Sequence, residues 1–98
     1  MILKQTIGID VSMDNFEVRF GTIDTTQDEQ ISMSEKFTNN EAGFKKFMKW
    51  AMKKKVFTGT KEQADILPLF FVMEVTGVYH EKLAHFLYKN GQQVITSN

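Results

Sequence analysis

Two apolar runs constrain this chain more than any other feature. One is Thr6-Ile7-Gly8-Ile9-Asp10-Val11, and the other is Leu69-Phe70-Phe71-Val72-Met73-Glu74-Val75. Each reads as a central strand, apolar with few polar interruptions, as a strand covered on both faces should be. Each also carries one acid near its end, Asp10 in the first and Glu74 in the second, 64 positions apart. An ionised carboxylate at the end of a buried strand is costly unless something pairs with it. Two brought together repel, unless a cation sits between them.

Between the two runs the pattern changes. Phe16, Val18 and Phe20 alternate with Glu17 and Arg19, which predicts a half-buried strand over about 16–22. Met13-Asp14-Asn15 reads as the turn before it. After the polar loop at 24–29, Ile31, Met33 and Phe37 alternate with Ser32, Ser34 and Lys36, predicting a third strand over about 30–37. Thr38-Asn39-Asn40-Glu41 has capping-box spacing, with Asn39 or Asn40 as alternative caps. Phe44, Phe47, Met48, Ala51 and Met52 then form a helical stripe, with Trp50 at its edge. Residues 56–65 read as a linker containing the breaker Thr58-Gly59-Thr60. A fourth strand follows at 69–75, with Pro68 tolerated at its entrance. Thr76 reads as the cap of a second helix over 77–89, in which Tyr79, Leu83, Phe86 and Leu87 would face the sheet. Asn90-Gly91 ends that helix, and 93–96 is a short fifth strand.

The element order is therefore β-β-β-α-β-α-β. A right-handed crossover returns the fourth strand parallel to the first, which predicts an α/β fold with a mixed five-stranded sheet of order 3-2-1-4-5. Asp10 and Glu74 then end side by side at the carboxyl ends of the central strands, where open α/β sheets commonly bind ligands.

Composition narrows the class. Ninety-eight residues allow one small domain. The absence of cysteine excludes disulfides and thiolate metal sites and fits a cytoplasmic protein. The first residues lack the apolar stretch of a signal peptide, and no apolar run approaches the ~20 residues of a membrane helix. Zero formal net charge makes the whole chain no electrostatic nucleic-acid binder. Within Glu41 to Lys55, however, six lysines face one glutamate.

Asp10 and Glu74 are candidate ligands for Mg²⁺ or Mn²⁺ in cleavage and rejoining of phosphodiester bonds, since such hard cations take one or two carboxylates plus substrate phosphate oxygens. The plainer reading is a strand-end aspartate and a glutamate paired with a lysine.

Gly8-Ile9-Asp10-Val11-Ser12, Phe37 with Asn39, Gly43-Phe44, Trp50, Glu74-Val75-Thr76-Gly77-Val78-Tyr79, Leu83, and Gly91 with Val94 together resemble the N-terminal domain of DEDD-type insertion-sequence transposases. That family includes the Piv DNA invertase, and its catalytic domain is RuvC-like with an RNase H-like fold. The match covers nearly the whole chain in element order. The family uses four acids, D, E, D and D. Asp10 matches the first and Glu74 the second. The resemblance implies that residues 1–98 are the N-terminal part of one incomplete RuvC-like catalytic domain, truncated at its C-terminus. The remaining acids and a serine-bearing C-terminal domain would lie beyond Asn98, and the fragment alone would be inactive. Many members carry a lysine after the serine of the first motif, where this chain has Met13. The resemblance further implies DNA as substrate (element ends and target), a divalent metal, action as a homo-oligomer and association with a guide RNA encoded by the element.

Other residues carry a plain and a sharper reading. Lys45, Lys46 and Lys49 read first as a solvated helix face and second as phosphate contacts. Thr76 and Gly77 read as a helix start that would also suit a phosphate. Tyr79 fills the helix–sheet seam or stacks on a base. His80 and His85 are five apart, which is not a helical metal pair. Two rival functions remain. A sugar-kinase or actin-like phosphotransferase would share the first strand, but Val11-Ser12-Met13-Asp14-Asn15 lacks its glycine-bearing phosphate loop. The other rival is a non-catalytic DNA-docking or assembly module with degenerate acids.

Overall fold

A computed structural model describes residues 2–24, 29–31, 34–54, 57–58, 65–66, 69–74 and 77–97. Strand β1 (Ile2–Val11) and strand β2 (Asn15–Asp24) form an antiparallel hairpin. Its turn is held by Ser12, whose backbone N–H and hydroxyl both donate to the Asn15 carbonyl, at 2.8 and 2.9 Å. Strand β7 (Leu69–Glu74) lies parallel to β1 on its other side, and β8 (Gln93–Ser97) lies parallel to β7. The sheet order is β3-β2-β1-β7-β8. Counting the predicted strands, this is 3-2-1-4-5.

The predicted third strand is two segments, β3 (Glu29–Ile31) and β4 (Glu35–Thr38), both antiparallel to β2. Gly21 pairs with Ile31, whereas Phe16 pairs with Phe37. The register therefore slips by one residue between the segments. Because side chains alternate with period two, one continuous alternation cannot run through both.

Helix α1 (Glu41–Lys54) starts at Asn40, not Thr38. The Asn40 side-chain oxygen accepts from the Gly43 N–H at 2.8 Å, satisfying a free donor of the first turn. Gly43 is buried, and a β-carbon there would run into the Thr38 carbonyl oxygen. Helix α2 (Glu81–Lys89) starts four residues later than the sequence pattern predicts. Gly77 to His80 form a bend and turn instead, and Thr76 lies outside the described residues. The Tyr79 carbonyl, which a helix begun at Gly77 would direct to Leu83 N–H, accepts instead from the side chain of Asn39. Gly91, at φ 75°, ends α2 in the left-handed region that favours glycine.

Inside the stretch read as a linker, β5 (Phe57–Thr58) and β6 (Asp65–Ile66) form a two-rung antiparallel ladder. The breaker residues Gly59 and Thr60 lie outside the described residues.

Both helices pack on one face of the sheet. Ile7 and Ile9 of β1, Phe16, Val18 and Phe20 of β2, and Phe71 and Met73 of β7 join Phe44, Phe47 and Ala51 of α1 and Leu83 and Leu87 of α2 in one buried cluster. Phe47 is its hub, with ring centroids 5.2 Å from Phe16 and 5.7 Å from Phe71 in edge-on contacts. Phe44 and Phe86, 5.5 Å apart, join the helices to each other. The opposite face behaves differently. Gly8, Asp10, Arg19, Glu74 and Ser97 are exposed there, and Glu17 and Val72 are half-buried. Coverage of β1 on both faces, as its apolar run implied, is thus met on one face only among the described residues.

Candidate functional site

The two acids meet by strand register. Asp10 of β1 is the direct partner of Glu74 of β7 in the parallel ladder. Adjacent strands lie about 4.8 Å apart, and in-register residues project to the same side. Period-two alternation turns both away from the core, because Ile9 and Met73 point into it. Among the described residues, neither carboxylate takes part in an ion pair or hydrogen bond. The lysine partner of the plainer reading is therefore not found among them.

The row extends across the sheet. Asp10 also pairs with Glu17 of β2, Glu17 with Lys36 of β4, and Glu74 with Ser97 of β8. Two residues back along the strands, Gly8 lies between Arg19 and Val72. A groove of about 460 Å³ runs over these positions, lined by Gly8, Ile9, Asp10, Glu17, Arg19, Val72, Glu74 and Ser97. Gly8 leaves it open, since a β-carbon there would meet nothing within 4 Å. Arg19 Nη2 lies 3.7 Å from Glu17 Oε1 in an exposed ion pair. Among the described residues, no three His, Cys, Asp or Glu side chains converge closely enough to hold a metal. The pair itself supplies two carboxylates, and Glu17 stands beside it.

Glu17, Arg19 and Ser97 were not singled out from the sequence as site residues. A signal existed for the first two. Alternation assigned them to the polar face of the second strand, and counting back through the hairpin turn places Glu17 opposite Asp10.

Of the remaining candidates, Gly77 and Tyr79 lie near Glu74. With Val11 and His80 they line a small cleft that Glu74 shares. Tyr79 is 49% exposed in the turn before α2, so the helix–sheet seam expected for it is a correction: the late helix start carries it off the apolar stripe. His80 Nδ1 is buried with no hydrogen-bond partner among the described residues. Lys45, Lys46 and Lys49 are exposed on α1, which packs on the opposite face of the sheet from Asp10 and Glu74. Lys45 and Lys49 line a separate groove with Met48, Met52 and Phe86, and Lys45 Nζ lies 3.8 Å from Glu41 Oε1. The structure does not bring these lysines to the acid pair.

A mixed sheet of this order, with two helices on one face and two acids paired at the ends of its central parallel strands, defines an α/β domain of the RNase H-like class. The family model described as "Transposase", that of the DEDD insertion-sequence enzymes, matches residues 7–98. The chain belongs to this family. It is also similar to the pilin gene-inverting proteins of Moraxella lacunata, 33% identical over 95 residues, and Moraxella bovis, 32% identical over 95 residues. Each match covers 97% of this chain and 25% of the relative, so the chain spans about a quarter of the length of these relatives. Among solved structures, the PPX-GPPA enzyme of Aquifex aeolicus aligns over 96% of this chain and 36% of that chain, at 10% identity and a TM-score of 0.48. That likeness is too slight to bear on function. No helix among the described residues is long and apolar enough to cross a membrane.

Proposed function

We propose that residues 1–98 are the N-terminal part of a RuvC-like catalytic domain of a DNA transposase or recombinase, and that Asp10 and Glu74 are two of its metal-binding acids. The observation that carries this reading is the in-register pairing of Asp10 with Glu74 on an exposed sheet face, in a chain of the transposase family.

The donor set suits the ion. Two carboxylates at the neighbouring ends of β1 and β7, with an open groove before them, match how Mg²⁺ and Mn²⁺ are held when substrate phosphate oxygens complete the shell. Bound there, the metal would supply Lewis-acid polarisation of a phosphodiester and activation of the attacking oxygen. The protein's own part is positional. Asp10 and Glu74 hold the cation at the rim, Gly8 leaves the sheet surface clear, and Arg19 presents a guanidinium to a phosphate lying in the groove. Lys45, Lys46 and Lys49 are left to a solvated face. In this reading the partners are DNA, a second copy of the full-length protein and an element-encoded guide RNA. The fragment alone, with two acids, neither cleaves nor joins DNA.

The test is strand cleavage by the full-length protein on DNA carrying an element end, with Mg²⁺ or Mn²⁺. Asp10→Ala and Glu74→Ala should each abolish cleavage while preserving the folded state by circular dichroism. Wild-type cleavage by both folded variants would refute the assignment.

A further inference from the structure

Asn39 sits between β4 and the cap of α1, yet its side chain serves two other segments. Its amide nitrogen donates to the Ser12 carbonyl at 2.9 Å and the Tyr79 carbonyl at 3.0 Å, with the Met13 carbonyl at 3.4 Å. Its backbone N–H donates to the Asp14 carbonyl at 2.9 Å. Ser12 is two residues beyond Asp10, and Tyr79 is five beyond Glu74. One side chain therefore ties together the two chain segments that leave the acid-bearing strands.

The chemistry of the contact calls for a donor and orients the Asn39 amide. All three neighbours of the amide nitrogen are carbonyl oxygens, so only the NH₂ end of the amide fits there. The anchor is firm on its own side. Thr38, the preceding residue, pairs with Asn15 in the β2–β4 ladder, and the following residue, Asn40, caps α1 through Gly43. The ladder between β1 and β7 has its last rung at Asp10 and Glu74 among the described residues. Beyond that rung the two exits run on to Ser12 and Tyr79, which Asn39 holds to one another.

We propose that Asn39 is a positioning residue that steadies the strand ends carrying Asp10 and Glu74 for the cation they share. This rests on the metal reading of that pair. Mg²⁺ demands near-ideal octahedral geometry, so a small spread of the strand ends weakens its site. Residues that hold ligands in place typically account for 10–100-fold in metal affinity.

The experiment compares Asn39→Ala with Asn40→Ala in the full-length protein. The second variant removes the adjacent helix cap but leaves the bridge, so it controls for lost stability. Mn²⁺ affinity is measured by calorimetry at a temperature where both variants are folded, and backbone hydrogen exchange is measured without metal. Asn39→Ala should weaken Mn²⁺ binding about tenfold or more and accelerate exchange together around 12–15 and 78–82. Asn40→Ala should accelerate exchange in the first turn of α1 and leave Mn²⁺ affinity within about twofold. Equal affinities in the two variants, or faster exchange at only one of the exits, would overturn the proposal. If wild type binds no Mn²⁺, the metal reading fails and this role fails with it. If Asp10→Ala abolishes binding while Asn39→Ala leaves it intact, only the positioning role is lost.

Discussion

Asp10 and Glu74 are direct partners in the parallel ladder between β1 and β7, although β2, β3, β4, helix α1 and the β5–β6 ladder intervene along the chain. Like charges directly opposite each other across a ladder destabilise it. With no cation bound, Asp10→Asn should therefore stabilise the fold, by about 0.2–1 kcal/mol. Urea denaturation in the presence of a chelator measures this. A loss of stability instead would mean that Asp10 has a stabilising partner.

Gly43 packs against the Thr38 carbonyl where a β-carbon has no room. The contact is with backbone, so the neighbour cannot swing aside. Gly43→Ala should lower stability by about 1–3 kcal/mol, the usual cost of overpacking, despite alanine's better helix propensity. An unchanged midpoint in urea would show that the α1 entrance shifts freely.

Phe47 is fully buried and touches the rings of Phe16, Phe37, Trp50 and Phe71. Phe47→Ala should cost about 3–5 kcal/mol. A domain of this size has only about 5–15 kcal/mol in total, so thermal unfolding should move close to ambient temperature.

Arg19 and the α1 lysines lie on opposite faces of the sheet, which separates their effects on DNA. In the full-length protein, Arg19→Gln should reduce the slope of log affinity against log salt by about one. The triple change of Lys45, Lys46 and Lys49 to Gln should leave that slope unaltered. The reverse pattern would put the nucleic acid on the helical face.

Much of this architecture is legible in the sequence because it depends on local periodicity. Alternation in 16–20, the helical stripe of Phe44, Phe47 and Ala51, and the crossover rule together give the 3-2-1-4-5 order. They also bring Asp10 beside Glu74. Glu17 was within reach too, by counting through the hairpin turn. What periodicity misses are features decided by a single contact. The one-residue slip between β3 and β4 changes no residue's propensity. The apolar stripe of α2 continues back to Tyr79, yet that carbonyl accepts from Asn39, forty residues upstream, and lies outside the helix. Asn39 itself reads as one of three possible caps. Its actual contacts involve three segments that only the folded sheet brings together.

Calorimetric titration of Mn²⁺ into the full-length protein, its Asp10→Asn variant and its Glu74→Gln variant tests the central claim most directly. The wild type should bind, and each variant should lose at least tenfold in affinity, about 1.4 kcal/mol. Absence of binding by the wild type, or equal affinity in all three proteins, would contradict it.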